Sequence, residues 1–262
     1  MVVSLSVTAY PETGIRGHLA DVVRAADDGG LDTVWVADHL LQAAPGTSPD
    51  DPMLEALTTL GFLAGRSERV RLGTMVAAVT YRAPALLIKA VTSLDALSGG
   101  RAWLGVGAGY HEEEASKLGL DLPPVPERYR RLEQTLQLAD RMWSGEAHPV
   151  PLRRPPVLIG GMGEKRTLRL VARHADACNL FDIPDGGATI RRKLEVLRGH
   201  CEALGRPYEA IAKTVSTRLN RGETAESFGG RLETLASYGI EHAVAITDGP
   251  WTLDAIETLS RA

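Results

Sequence analysis

Two apolar patterns alternate along the chain. Short runs rich in aliphatic and β-branched residues, of strand length, are separated by longer stretches whose apolar positions recur at helical spacing. The short runs predict strands at Leu5 to Ala9, Thr33 to Ala37, Val70 to Val76, Ala102 to Val106, Val157 to Ile159, Ala177 to Phe181, Ala212 to Val215 and His242 to Ile246. The longer stretches predict helices at His18 to Asp28, Met53 to Arg66, Pro84 to Leu97, Arg128 to Trp143, Glu164 to His174, Ala188 to Leu204 and Ala225 to Tyr238, with Leu253 to Arg261 last. Strict alternation of strand and helix predicts a parallel sheet. Eight such units in 262 residues fit a closed (β/α)8 TIM barrel better than an open doubly wound sheet, with residues 1–262 forming one domain.

Local punctuation supports these boundaries. Gly29-Gly30 and Gly99-Gly100 follow helical stretches, where a left-handed terminal residue favours glycine, and Pro84 suits a first helical turn because its missing N–H has no partner to lose there. The Pro-rich segment AHPVPLRRPP, Ala147 to Pro156, reads as a short connector rather than a domain boundary.

Composition narrows the functional classes. A net charge of -4 with interspersed signs provides no broad basic face for nucleic acid. No apolar stretch reaches membrane-spanning length and no leader pattern opens the chain, so a cytoplasmic protein is expected. Two cysteines, Cys178 and Cys201, are too few for a disulfide framework, and no metal-ligand spacing or covalent nucleophile motif is present. Redox chemistry would therefore need a bound organic cofactor.

Barrel enzymes carry their chemistry just after the strands, and three such places hold candidates. After TVWVA stands Asp38-His39, a carboxylate beside an imidazole that can orient a ring and move a proton near neutral pH; the plain alternative is a capping Asp and a surface His. GVGAGYHEEE, Gly105 to Glu114, has alternate glycines that let backbone approach a planar group, with Tyr110 or His111 facing a ligand. For two of its three terminal acids the better reading is complementing a helix dipole. IGGMGEKR, Ile159 to Arg166, opens a helix whose N–H groups suit phosphate, with Lys165 and Arg166 adding charge; a glycine turn with a solvated basic face is the alternative. Neither glycine segment has dinucleotide-fingerprint or P-loop spacing.

In order, DTVWVADHLL, RVRLGTMV, TSLDALSGGRAWLGVGAGYHEEE, RLEQTLQLADRMWSGE and PPVLIGGMGEKRTLRLVARHADACNLF resemble the luciferase-like monooxygenase superfamily, and within it the F420-dependent oxidoreductases. The resemblance implies hydride transfer between coenzyme F420 and a small organic substrate, with Asp38 as a cofactor contact and His39 as proton donor. It places a non-prolyl cis peptide behind the cofactor ring at Met75-Val76. Gly107, Tyr110, His111 and Glu113 would border cofactor or substrate, and Gly161, Gly163, Glu164, Lys165 and Arg166 would hold phosphate. Tyr129 matches a phosphate-contacting tyrosine of some flavin-binding relatives, and Lys165, Arg166, Arg153 and Arg154 would accommodate a poly-glutamate tail.

Two departures stand out. Tyr110 occupies the place of a glutamate base in an F420-dependent sugar-phosphate dehydrogenase, and the segment after Trp143-Ser144-Gly145 is shorter than the lid insertion of relatives. An FMN-dependent monooxygenase fed by a separate reductase, and a barrel that binds cofactor without catalysis, are the alternatives. A homo-oligomer, dimeric or larger, is expected by the same resemblance.

Overall fold

The computed structural model describes residues 1–44 and 47–262. Nine parallel strand segments form one sheet: β1 Val2–Val7, β2 Thr33–Val36, β3 Arg71–Thr74, β4 Ala77–Ala78, β5 Leu104–Gly107, β6 Val157–Gly160, β7 Ala177–Phe181, β8 Ala212–Arg218 and β9 His242–Ile246. Their order is β3-β2-β1-β9-β8-β7-β6-β5-β4. The two ends of this order are halves of one strand, since β3 and β4 are separated only by Met75 and Val76. A parallel bridge between Leu72 and Ala102 and the pairing of β4 with β5 bring these halves onto the same neighbour, so the sheet closes on itself as the expected barrel.

The interruption of the third strand has a steric setting. A Cβ on Gly105 would lie 1.9 Å from the Thr74 carbonyl oxygen, so β5 can approach β3 only with glycine there; Thr74 Oγ1 then donates to the Gly105 carbonyl at 2.6 Å. The Met75-Val76 peptide is cis, at the expected position.

Helices α1 Ile15–Asp28, α2 Ala56–Ala64, α3 Pro84–Ser98, α5 Val125–Arg141, α6 Thr167–His174, α7 Ala188–Leu204, α8 Ala225–Ser237 and α9 Leu253–Arg261 surround the barrel. The short α4, Glu112–Leu118, is additional to the eight expected and runs over the mouth of β5. Alternation within each strand divides the core: Val34 and Val36 pack outward among the helices, whereas Trp35 points inward and meets Trp103 at 5.5 Å between ring centroids, with Leu158, Ala177 and Val244.

Several boundaries move. Gly29 is right-handed and Gly30, at φ +74°, is the left-handed residue after α1, while Gly99 and Gly100 both have positive φ. Glu164 to Arg166 are turn residues, so α6 begins three residues later than expected. The α5 helix ends at Arg141, and Met142–Glu146 widen into a π-type turn before the short connector. That connector lies along α3, with the Leu152 N–H donating to Asp95 at 2.7 Å and the Lys89 ammonium to the His148 carbonyl.

The seam between the first and last strands pairs Val2 with His242 and Leu5 with Ala245. It is stapled by side chains: Ser4 Oγ and His242 Nε2 are 2.6 Å apart, and the Trp251 indole N–H donates to the Ser6 carbonyl at 2.9 Å. Among the described residues no helix is long and apolar enough to cross a membrane.

Candidate active site

A cavity of about 630 Å3 opens at the C-terminal ends of the strands, a volume suited to a cofactor-sized ligand. Its wall has two chemically different ends, one built by the loops after β2 and β5 and the other by the loop after β6.

The first end is organised by Glu114. Helix α4 is capped by His111, whose Nδ1 accepts from the Glu114 N–H at 3.1 Å, and the first turn of that helix carries three consecutive acids. Successive residues on a helix point about 100° apart, so the three acids separate. Glu113 turns to solvent and pairs with Lys117 at 2.8 Å, whereas Glu114 turns inward and is buried. Its carboxylate accepts from His39 Nδ1 at 3.0 Å, from the Leu41 N–H at 2.9 Å, and from the Leu40 N–H and the Tyr81 hydroxyl. Burial works against this charge, but the hydrogen bonds from His39, Tyr81, Leu41 and Leu40 outweigh it and bring the carboxyl from 4.5 down to about 2. The Tyr81 hydroxyl is pushed up by burial and by its hydrogen bond to Glu114, which keeps it a donor.

This has a consequence for acid stability. A carboxyl at 4.5 in the unfolded chain and about 2 in the folded one contributes stability that is complete above 4.5 and is lost as the pH falls toward 2. Acid denaturation of Glu114→Gln is expected to be less steep than that of the parent over this interval. Parallel curves would show that the carboxylate is not held as described.

Asp38 is also buried on the cavity wall, and its carboxylate is engaged elsewhere. Arg82 clamps it bidentately, Nη1 and Nη2 each at 2.7 Å, and the Ala78 N–H donates at 3.2 Å. Arg82 also contacts Glu55, so one guanidinium ties the β2 loop to the N-cap of α2. Burial pushes the Asp38 carboxyl up, against the pull of the guanidinium. The pairing leaves Asp38 as a support for the neighbouring His39, whose Nε2 lies 3.2 Å from the Tyr110 hydroxyl. Tyr110 is 70% exposed at the cavity mouth.

The second end is the glycine loop after β6. Gly161, at φ +116°, Gly163, Tyr129 and Thr167 line it, and the Tyr129 and Thr167 hydroxyls are 2.7 Å apart. A Cβ on Gly163 would come within 2.8 Å of Thr167 Oγ1 and 3.3 Å of the Tyr129 hydroxyl, so glycine keeps the cradle open. Between the two ends Met75 and Val76 form the floor, and Gly107 leaves room for Val76, from which a Cβ would stand only 2.8 Å.

Of the residues expected at the site, the cavity wall brings together Asp38, His39, Met75, Val76, Gly107, Tyr110, His111, Tyr129, Gly161 and Gly163. Glu113, Glu164, Lys165 and Arg166 do not line it. Glu164 pairs with Lys193 at 2.6 Å and with Arg192 at 3.0 Å, and Arg166 stacks over the Tyr129 ring at 5.8 Å. Arg153 and Arg154 precede β6 and so stand at the opposite end of the barrel, where Arg154 pairs with Asp176 just before β7 at 2.7 Å; neither lines the cavity. Glu114, Tyr81 and Arg82 are organising residues that the linear pattern does not single out.

A family model described as luciferase-like monooxygenase matches residues 2–245. The chain belongs to that family. This luciferase-like chain is 41% identical over 227 residues to an F420-dependent glucose-6-phosphate dehydrogenase of Beutenbergia cavernae, covering 84% of the chain and 64% of that protein. It is 36% identical over 143 residues to the enzyme of the same name from Kineococcus radiotolerans, covering 54% and 41%. The chain thus spans less than two thirds of the length of these relatives. An F420-dependent secondary alcohol dehydrogenase superposes with a TM-score of 0.83 at 15% identity, covering 99% of this chain and 97% of that one. A monooxygenase from Streptomyces bottropensis does so with 0.75 at 17% identity, covering 100% and 97%. At such identities the superpositions establish the shared barrel.

Proposed function

We propose that this luciferase-like barrel is an F420-dependent oxidoreductase that transfers a hydride between the deazaflavin and a small organic substrate. The observation that carries the reading is the pairing of two ends in one cavity: a glycine cradle at the start of α6 and an imidazole backed by a buried carboxylate. The similarity to F420-dependent relatives along most of the chain supports the choice of cofactor.

The residues present fit such a group. The buried Ser6 Oγ on the cavity wall has no partner among the described residues and offers a polar contact to a bound ring. The phosphate would be held at Gly161, Gly163, Tyr129 and Thr167, at the N-terminal end of α6, where the helix dipole favours negative charge. Met75 and Val76 would back the ring. When bound, F420 supplies the two-electron hydride chemistry that the side chains lack. His39 then supplies or removes a proton at Nε2, and Asp38 and Arg82 keep the β2 loop that bears it in place.

Self-association as a homo-oligomer is part of the same reading. It is supported by exposed Leu86 and Leu97 on α3 and by Val150 and Leu152 on the connector that lies along it.

Titration of the purified chain with F420 and FMN side by side, followed by fluorescence, tests the cofactor: F420 is expected to bind, and binding of FMN alone would refute the reading. Gly163→Ala is expected to weaken F420 binding by about tenfold, near 1.4 kcal/mol, through crowding of Thr167 and Tyr129. An unchanged dissociation constant would move the phosphate elsewhere.

A further inference from the structure

The His39 ring stands between two oxygen partners of opposite capacity. On one side, 3.0 Å from Nδ1, is the Glu114 carboxylate, which can only accept. On the other, 3.2 Å from Nε2, is the Tyr110 hydroxyl, which can donate or accept. The same carboxylate is buried and receives two backbone N–H groups and the Tyr81 phenol, so it has no proton to give Nδ1. The hydrogen at the His39–Glu114 contact must therefore belong to the imidazole.

We propose that Glu114 is the positioning residue that fixes neutral His39 as its Nδ1–H tautomer, so that Nε2 alone exchanges a proton with substrate. The existence of a substrate rests on the oxidoreductase reading above; the tautomer does not. In one direction the substrate O–H bond breaks, its electron pair stays on oxygen, and the proton forms a new bond at Nε2. In the other, the Nε2–H bond of the imidazolium breaks, its electron pair stays on nitrogen, and the proton joins the oxygen of a carbonyl whose carbon would receive the hydride from the deazaflavin. In both, Glu114 faces the ring when it is charged and balances it. The Tyr110 hydroxyl shows that a hydroxyl oxygen fits within hydrogen-bond reach of Nε2, and its exposed side chain leaves it free to be displaced. The other titratable or charged groups around the ring are Tyr81, His111 at 5.5 Å between ring centroids, and the Asp38–Arg82 pair on the adjoining residue.

The oxygen-by-oxygen arrangement sets the test. Glu114 Oε1 takes the two backbone donors and Oε2 takes His39 and Tyr81. In Glu114→Gln the amide oxygen keeps the backbone donors, and the amide NH2 replaces Oε2 opposite Nδ1. That group donates, so the ring is expected to switch to the Nε2–H tautomer with its shape unchanged.

The experiment is long-range 1H–15N NMR of the histidine rings in the full chain without cofactor, with His39 assigned by the signals lost in His39→Asn. The parent is expected to show the Nδ1–H tautomer when neutral, and Glu114→Gln the Nε2–H tautomer. With cofactor and substrate, Glu114→Gln is expected to lower kcat by roughly a thousandfold, within the range for a misprotonated catalytic histidine, with the F420 dissociation constant changed less than about threefold. A parent ring in the Nε2–H form overturns the proposal even if the variant fails to fold, as does a variant that keeps the parent tautomer. Because the tautomer is read without cofactor, failure of F420 binding would sink the oxidoreductase reading and leave this result standing, and the reverse also holds.

Discussion

Replacing His39 with alanine is expected to lower F420-dependent turnover by about a hundred- to ten-thousandfold, the usual contribution of a positioned acid–base group. Cofactor affinity is expected to change little, because the glycine cradle proposed to hold the phosphate lies at the other end of the cavity. The Glu114 carboxylate keeps its donors from Leu40, Leu41 and Tyr81 when the imidazole is gone, so the loop retains most of its anchorage. Steady-state turnover and an F420 titration of the same preparation separate the two effects. A variant that turns over like the parent would favour the barrel that binds cofactor without catalysis.

The largest effect on stability is expected at Arg82. Its side chain is 11% exposed and faces an Asp38 carboxylate that is wholly buried. Removing one member of a buried pair costs about 3–5 kcal/mol, because the partner is left as an uncompensated charge. Arg82→Ala is therefore expected to lower the thermal midpoint by roughly 6–20 °C for a chain of this size. The double variant Asp38→Ala/Arg82→Ala is expected to recover part of that loss, since the charge left behind is gone too. A midpoint within about 2 °C of the parent for Arg82→Ala, less than about 1 kcal/mol, would mean that the pair carries no such weight.

The barrel was legible because its strands are covered on both faces and so appear as short continuous apolar runs. Their ends were less legible, for reasons specific to each. The first strand begins at Val2 rather than Leu5 because the Val2 N–H donates to the Glu241 carbonyl and extends the ladder into exposed residues; Thr8 instead leaves the ladder and lines the cavity. β8 continues through polar Ser216 and Thr217 to Arg218 because these pair with Val244 to Ile246, a gain invisible in local hydropathy. The site divides in the same way. Asp38, His39 and the glycine loops follow strand ends and stand out by position. Glu114 differs from Glu113 only by one step around a helix, and that step decides between solvent and the imidazole. Arg82 and Tyr81 act on residues more than thirty positions away, which no local period records.

The seam that joins β1 to β9 also governs how the chain reaches this fold. Its partners, residues 2 to 5 and 242 to 245, lie at nearly the greatest sequence separation in the barrel. Every other ladder joins neighbours in the chain order, so helices and adjacent strands can assemble progressively as synthesis proceeds. Until β9 emerges, β1 presents an unpaired edge of backbone donors and acceptors, the kind of edge on which chains associate wrongly. Such non-local pairing is slow, because its loop must close before its contacts form. The Ser4–His242 contact and the Trp251 hydrogen bond to Ser6 therefore mature only at that last step, and they retire the exposed edge.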